Sequence, residues 1–401
     1  MEKQIFTLRH LLYLVAIAGI FALYTGCDLA GDSDSGGMPE IEGVRHIHPD
    51  SAATMQLEKV GPGETFVITG RNLKSATKVF FNGIEASFNP VLVTNTNMIV
   101  TIPGNMPFGT LDPEAEEMNT IKLESSYGEI VFQFPILPPM PNIQHINKEF
   151  AESGETLTIT GNYLYLVTEV TFPGGIVSAD FESSDDGSYM TVTVPDGITE
   201  EGFVNVTTSS GTTYNSYRNM FNNTTGIFVN FDDKNPFTPW GDTPVVTNDV
   251  EGIEPVDGNY LHWHLTDIPA GLWWSQELAT PMEAETDWPD IDPNTDLENL
   301  VLRFEMNIPD GLNSGWIKFN FNWNFEYDWN PFVTRNDERI TIQTDGWETF
   351  TIPLEVLYDL GATTYADIAV NMHMFYVNPD TGVPVDELSV AYDNFRIVQI
   401  N

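Results

Sequence analysis

The sequence predicts an all-β protein built from several small sandwiches, and three observations carry that prediction. Gly315 to Pro331 reads G-W-I-K-F-N-F-N-W-N-F-E-Y-D-W-N-P, in which apolar β-formers alternate with polar residues at the period of a half-buried strand. Two upstream segments repeat one another at a fixed offset of 91 residues. Beyond Gly226, strand-like runs follow one another with turn residues between them, and the strand–helix–strand rhythm of a parallel sheet is missing.

A chain of 401 residues has room for several cores, roughly two to four domains. Its formal net charge of −42 and pI near 4.1 argue against nucleic acid, an anionic membrane surface or an acidic polysaccharide as partner, since each needs cationic patches. A neutral ligand is left open.

The chain opens on a segment, residues 1–26, that reads as a secretory signal. Lys3 and Arg9 form a basic start, and Leu11 to Tyr24 is an apolar run too short to span a bilayer comfortably. It ends in Leu23-Tyr24-Thr25-Gly26-Cys27, which resembles a bacterial lipobox. Cys27 is the only cysteine, so it has no internal disulfide partner, and the resemblance implies that it is lipidated. Residues 27–38 follow as a small, polar, acidic tether. Acidic residues just after such a cysteine resemble the signal that exports lipoproteins of Bacteroidota to the outer cell surface.

The internal repeat comes next. Gly63-Glu64-Thr65-Phe66-Val67-Ile68-Thr69-Gly70-Arg71-Asn72-Leu73 matches Gly154-Glu155-Thr156-Leu157-Thr158-Ile159-Thr160-Gly161-Asn162-Tyr163-Leu164, and Val79, Phe81 and Gly83 match Val170, Phe172 and Gly174. Thr65 to Thr69 reads as a strand, Gly70 as a turn position tolerant of positive φ, and Leu73 as a residue folding back onto the core. The pattern resembles the IPT/TIG family of immunoglobulin-like domains. That implies one such module over residues 39–138 and a second over 139–225, serving as spacers. Between them Pro135-Ile136-Leu137-Pro138-Pro139-Met140-Pro141 favours a stiff polyproline II connector.

Residues 226–401 form the third domain. Its strand-like runs are Ile227–Phe231, Tyr260–Leu265, Gly271–Leu278, Leu300–Ile308, Trp316–Phe325, Arg339–Thr344, Glu348–Pro353, Ile368–Val377 and Leu388–Ile400; Leu354 to Leu360 alone looks helical. About 175 residues of this kind fit a jelly roll better than an immunoglobulin fold. All nine tryptophans lie between Trp240 and Trp347, which places the expected site here. Flat aromatic faces stack on sugar C–H groups, and fixed amides match ring hydroxyls. A row of asparagines beside an indole therefore suits carbohydrate.

Two signatures narrow the class. Asp345-Gly346-Trp347-Glu348-Thr349-Phe350-Thr351-Ile352-Pro353-Leu354 resembles a strand of carbohydrate-binding jelly rolls, and Ala391-Tyr392-Asp393-Asn394-Phe395-Arg396-Ile397 resembles their closing strand. Together with the lipobox and the repeated module, the chain resembles a cell-surface glycan-binding lipoprotein of Bacteroidota, of the xyloglucan-binding-domain type. The resemblance implies capture of a neutral plant β-glycan (xyloglucan, mixed-linkage glucan or mannan) at the outer membrane. It also implies association with a TonB-dependent transporter and its SusD-like partner.

Alternation sorts the candidate residues. Trp273 falls opposite Leu272, Trp274 and Leu278 and is the better ligand candidate of its pair, with Trp274 more often core. Trp316, Asn320 and Asn322 share the polar side of their strand, and Trp323 lies on the apolar side if the strand runs that far. Tyr327 and Trp329 belong to an aromatic-rich polar stretch expected to be exposed. Trp263 points inward while His262 and His264 point outward, as Asn371 and His373 do on another strand; His264 joins the candidate set. Trp240, Trp263, Trp288 and Trp347 read as core. Each stacked sugar contributes ~1–3 kcal/mol if base–aromatic stacking is a fair analogue.

No third ligand accompanies the histidine pairs at a zinc spacing. Asp232, Asp233 and Asp393 could offer oxygens to a structural Ca²⁺ by analogy with other jelly rolls, without the dense spacing of a calcium loop. No cofactor is expected. Carboxylate pairs are unavoidable among 58 acidic residues and so do not argue for a glycosidase, although Glu277, Glu326 and Asp328 sit among the aromatics. The motifs of serine hydrolases, zinc proteases and phosphate-binding loops are missing. The expectation is a non-catalytic binder, with a glycoside hydrolase or a surface adhesin as alternatives.

Overall fold

A strand with one apolar face needs a second sheet to cover it, and the chain meets that need repeatedly. The structure, a computed structural model, describes residues 36–48, 56–112, 114–234, 245–272, 288–332, 338–378 and 383–400. Two compact units divide the chain: Met1–Met106 with Leu111–Pro138, and Pro107–Thr110 with Pro139–Asn401.

The first unit pairs two four-stranded antiparallel sheets. One runs Glu40–His46, Thr65–Arg71, Asn97–Thr101, Phe88–Val93; the other runs Ile84–Ala86, Ala76–Phe81, Thr120–Ser125, Gly128–Gln133. Phe66, Ile68, Val79, Phe81, Met98 and Leu123 are buried between them.

The second unit begins with the same strand order. Asn142–Ile146, Thr156–Asn162, Tyr189–Thr193 and Phe181–Ser183 form one sheet, and Ile176–Ser178, Val167–Phe172, Asn205–Thr208 and Gly211–Thr212 form the other. The repeat read from sequence is thus a repeat of structure. The role given to its glycine needs correction. Neither Gly70 nor Gly161 has positive φ; the left-handed residues are Asn72 (φ 55) and Tyr163 (φ 60) two positions on. Glycine is required because the neighbouring strand crosses close by, and a Cβ would strike the carbonyl oxygen of Glu40 or Asn142. Leu73 and Leu164 do fold back and are fully buried.

The remainder of the second unit is a two-sheet sandwich. The larger sheet runs Val245–Thr247, Tyr260–Ile268, Val385–Gln399, Leu300–Asn307, Glu348–Pro353, with Ile227–Val229 added against Val385–Gln399. The smaller runs Phe325–Trp329, Trp316–Phe321, Met372–Val377. Their inner faces close on one apolar core that includes Trp263, Phe304, Phe319, Met374, Tyr392 and Phe395. Trp263 points inward as its alternation requires, meeting Tyr376 of the other sheet edge-on at 5.4 Å. Asn394 (φ 50) makes a bulge in the closing strand, so that Tyr392 and Phe395 both face this core.

Several elements differ from expectation. Trp316–Phe325 is a strand only to Phe321, where a turn intervenes. Arg339–Thr344 makes isolated bridges and not a strand. The strand expected over Ile368–Val377 starts only at Met372, after a short α-helix Tyr365–Ile368 that was not foreseen, whereas Leu354–Leu360 is helical as expected, in 3₁₀ form.

Candidate functional site

Register decides which side chains share a face of the smaller sheet. Ile317 stands opposite Trp329 and Tyr376, and Phe319 opposite Tyr327 and Met374; these face the core. Lys318 stands opposite Asp328 and Phe375, and Asn320 opposite Glu326 and His373. Period-two alternation puts the second set, with Trp316, on the outer face. The expected amide side of the strand is therefore a true face, but it is not open to solvent. Asn320 is 1% exposed, and Trp316 and Lys318 are half-buried.

The hairpin that follows shapes this face. Asn322 (φ 55) and Trp323 (φ 56) are both left-handed, the requirement of a tight type I′ turn that matches the twist of the flanking strands. The Asn324 amide donates to the Phe321 carbonyl at 3.1 Å and closes the turn. Asn322 is the turn's first residue rather than one of the outward amide row: its backbone amide donates to the Asn371 carbonyl and its side chain to that of Asp367. Trp323 is not on the apolar face, because the strand has already ended. It projects, 49% exposed, and lies against the His373 ring with centroids 3.6 Å apart. A tryptophan in left-handed backbone costs about 1–2 kcal/mol, strain of the kind that collects at functional positions.

Polar groups on the face are ordered by one another. The Lys318 ammonium bridges Glu326 and Asp328, each at 3.0 Å. Partial burial works against its charge, but hydrogen bonds to the two carboxylates outweigh that and raise its pKa. One cation between two carboxylates leaves the patch negative. The Asn320 Nδ2 donates to Glu326 Oε1 at 3.2 Å, while its buried Oδ1 has no partner among the described residues. Burial lowers the His373 pKa to about 4, so the ring behind Trp323 is neutral at ordinary pH. The arrangement offers a flat indole face on a rigid support and hydrogen-bonding groups beside it, without cationic excess.

Other expected site residues are placed elsewhere. Tyr327 and Trp329 are strand residues turned toward the core: Trp329 packs edge-on against Phe304 (5.3 Å) and Phe350 (5.5 Å), and Tyr327 is half-buried beside the same cluster. Their strand presents Glu326 and Asp328 outward instead, because Phe321 pairs with Phe325 across a three-residue loop, which keeps odd-numbered residues of both strands on the core face. His264 belongs to the larger sheet, where it stacks on His262 and meets Glu387 at 2.9 Å; the structure does not bring it to Trp316 or Asn320. Trp273, Trp274 and Cys27 lie outside the described residues. His373, Phe375, Lys318 and Glu326 were not selected from sequence. The signal for His373 was its outward position two residues from Asn371, which gives a face but not the strand it pairs with.

Among the described residues, no group of three or more His, Cys, Asp or Glu is arranged to hold a metal ion. The oxygens proposed for calcium are otherwise engaged or apart: Asp233 meets Asn230, and Asp232 accepts from the Asn259 backbone and side-chain amides. Asp393 is buried, and burial with the neighbouring carboxylates of Asp257, Glu305 and Asp232 pushes its pKa up to about 9. Among the described residues no helix is long and apolar enough to cross a membrane.

Comparison with known proteins bears on this site. Residues 221–399 match the family model of the surface glycan-binding protein B xyloglucan binding domain, and residues 51–112 match that of the IPT/TIG domain. An IPT/TIG domain-containing protein of Bacteroides ovatus is 29% identical over 186 residues, 43% of this chain. The chain spans 37% of that relative's length. Among solved structures, the surface glycan-binding protein PbSGBP-B from Prevotella bryantii superposes with a TM-score of 0.73 at 20% identity, over 90% of this chain and 99% of that one. An SGBP-B from a complex xyloglucan utilization locus in Bacteroides uniformis does so with a TM-score of 0.51 at 18% identity, over 90% and 99%. At these identities the superpositions establish the fold. The chain is similar to surface glycan-binding proteins B, and it carries an IPT/TIG match of its own.

Proposed function

We propose that this protein captures a neutral plant β-glycan, xyloglucan first among them, on the outer face of the smaller sheet of its C-terminal domain. The observation that carries the reading is Trp323, a half-exposed indole held out on a strained three-residue hairpin loop and backed by the neutral ring of His373. Trp316, half-buried, lies on the same face at the other end of the strand, and the exposed Glu326, fixed by Lys318, supplies a hydrogen-bonding group between them. Trp273 and Trp274 stay candidates on their sequence pattern alone. The match of residues 221–399 to a xyloglucan-binding domain supports the ligand class, and the negative patch disfavours acidic glycans.

Capture is non-catalytic in this reading. Glu326 and Asp328, which share the hairpin with Trp323, are both engaged by the same ammonium. A glycosidase instead needs two carboxylates on either side of the scissile bond. Lipidation of Cys27 would tether the protein to the outer membrane at the cell surface, beside a TonB-dependent transporter and its SusD-like partner. Many tethered copies would then offset weak single-site affinity.

Affinity electrophoresis of the full chain in gels containing neutral or acidic polysaccharides tests the reading. Retardation by a neutral β-glycan, without release of reducing ends, is expected. In a folded Trp323→Ala variant the retardation should weaken by about 5–150-fold in affinity, the equivalent of ~1–3 kcal/mol of stacking. Undiminished retardation in that variant would move the site elsewhere. Release of reducing ends would make the protein an enzyme.

A further inference from the structure

The outer face of the larger sheet carries a charge arrangement that its own domain cannot balance. Arg303 of strand Leu300–Asn307 and Arg396 of strand Val385–Gln399 stand directly opposite each other in the ladder, both essentially fully buried. Like charges facing across a ladder are destabilising, and burial removes the water that would screen them. Glu305, two residues along on the same face, accepts from Arg396 at 2.6 and 3.0 Å and neutralises one of the two. The other counter-charge comes from outside the domain. Glu149, in the turn after strand Asn142–Ile146 of the second immunoglobulin-like module, is 0% exposed, lies 2.9 Å from Arg303 and also pairs with Arg396.

Uncharged contacts fix the same junction. Thr349 Oγ1 accepts from the Glu149 backbone amide at 2.8 Å and donates to Glu305 Oε1 at 2.9 Å. The Thr349 amide donates to the Asn147 carbonyl at 2.7 Å, and Arg303 donates to the Tyr217 carbonyl at 2.6 Å. In the first module the longer connection between the first two strands carries Glu58, an exposed carboxylate.

We propose that the second module is a structural partner of the ligand-binding domain and not a spacer. Glu149 completes the four-charge set on the larger sheet, so the two modules unfold as one and keep one orientation. A buried pair gives little net stability over an apolar substitute, but removing one member strands a charge in the interior.

The test uses the full chain. Differential scanning calorimetry of Glu149→Gln should show the transition of the second unit lowered by about 10 °C, with both of its modules still melting together. Glu58→Gln should leave the profile unchanged. If Glu149→Gln does not fold, the charge-balanced double variant Glu149→Gln/Arg303→Gln should restore folding, and its failure to do so would overturn the proposal. A Glu149→Gln midpoint equal to that of the parent would also overturn it. So would hydrogen exchange showing the strand Thr156–Asn162 opening while Leu300–Asn307 stays protected in the unaltered chain.

Discussion

His373 faces an unusual demand for a histidine: it must support an exposed indole while its own ring is shut off from water. Burial holds its pKa near 4 against an ordinary value of 6.5, so the neutral ring is the form the fold accepts. The stability this provides is fully present above pH 6.5 and is lost as pH falls toward 4, because the unfolded chain takes up the proton first. A titration of the His373 ring followed by NMR should have its midpoint near pH 4; a midpoint near 6.5 would mean that the ring is open to solvent. Sequence offered less at this scale than at any other. Trp323 was readable as an aromatic near the site, but its exposure rests on a turn without glycine, and the usual Asn-Gly signal is replaced by Asn322-Trp323. Tyr327 and Trp329 misled for the opposite reason. Their polar neighbours suggested a loop, although the alternation that put them with Ile317 and Phe319 was sound.

The hairpin is the element in which local cost and binding should separate. Glycine at position 323 suits a left-handed turn residue and would relieve about 1 kcal/mol of backbone strain, partly offset by the lost contact with His373. Trp323→Gly is therefore expected to melt within a few degrees of the parent while its glycan affinity falls as far as in Trp323→Ala. A variant that lost stability and kept affinity would show that the indole is a packing residue. Strand alternation made the inner and outer faces of Trp316–Phe321 legible, and likewise the inward Trp263. It could not reveal that Met372–Val377 lies alongside, because pairing between strands more than fifty residues apart leaves no local trace. His264 illustrates the same limit: its outward direction was right, and its sheet was not foreseen.

At the scale of the molecule, the repeat was the most legible feature, since two copies at a constant offset require one fold used twice. What the copies do was not legible. Glu149 lies in the turn after the strand Asn142–Ile146, and only tertiary structure shows it between two arginines. The buried junction bears on how binding should be measured: a domain cut at Gly226 would leave Arg303 and Arg396 with Glu305 alone. The full chain is therefore the right material for locating the ligand. The nine tryptophan indole N–H signals of the ¹⁵N-labelled chain, followed during titration with a xyloglucan oligosaccharide, would locate it most directly. The face described above requires that Trp323 and Trp316 shift with saturation, and that Trp263 in the core and Trp347, bonded to the Glu254 carbonyl, do not. Saturable shifts that spare Trp323 and Trp316 would contradict it.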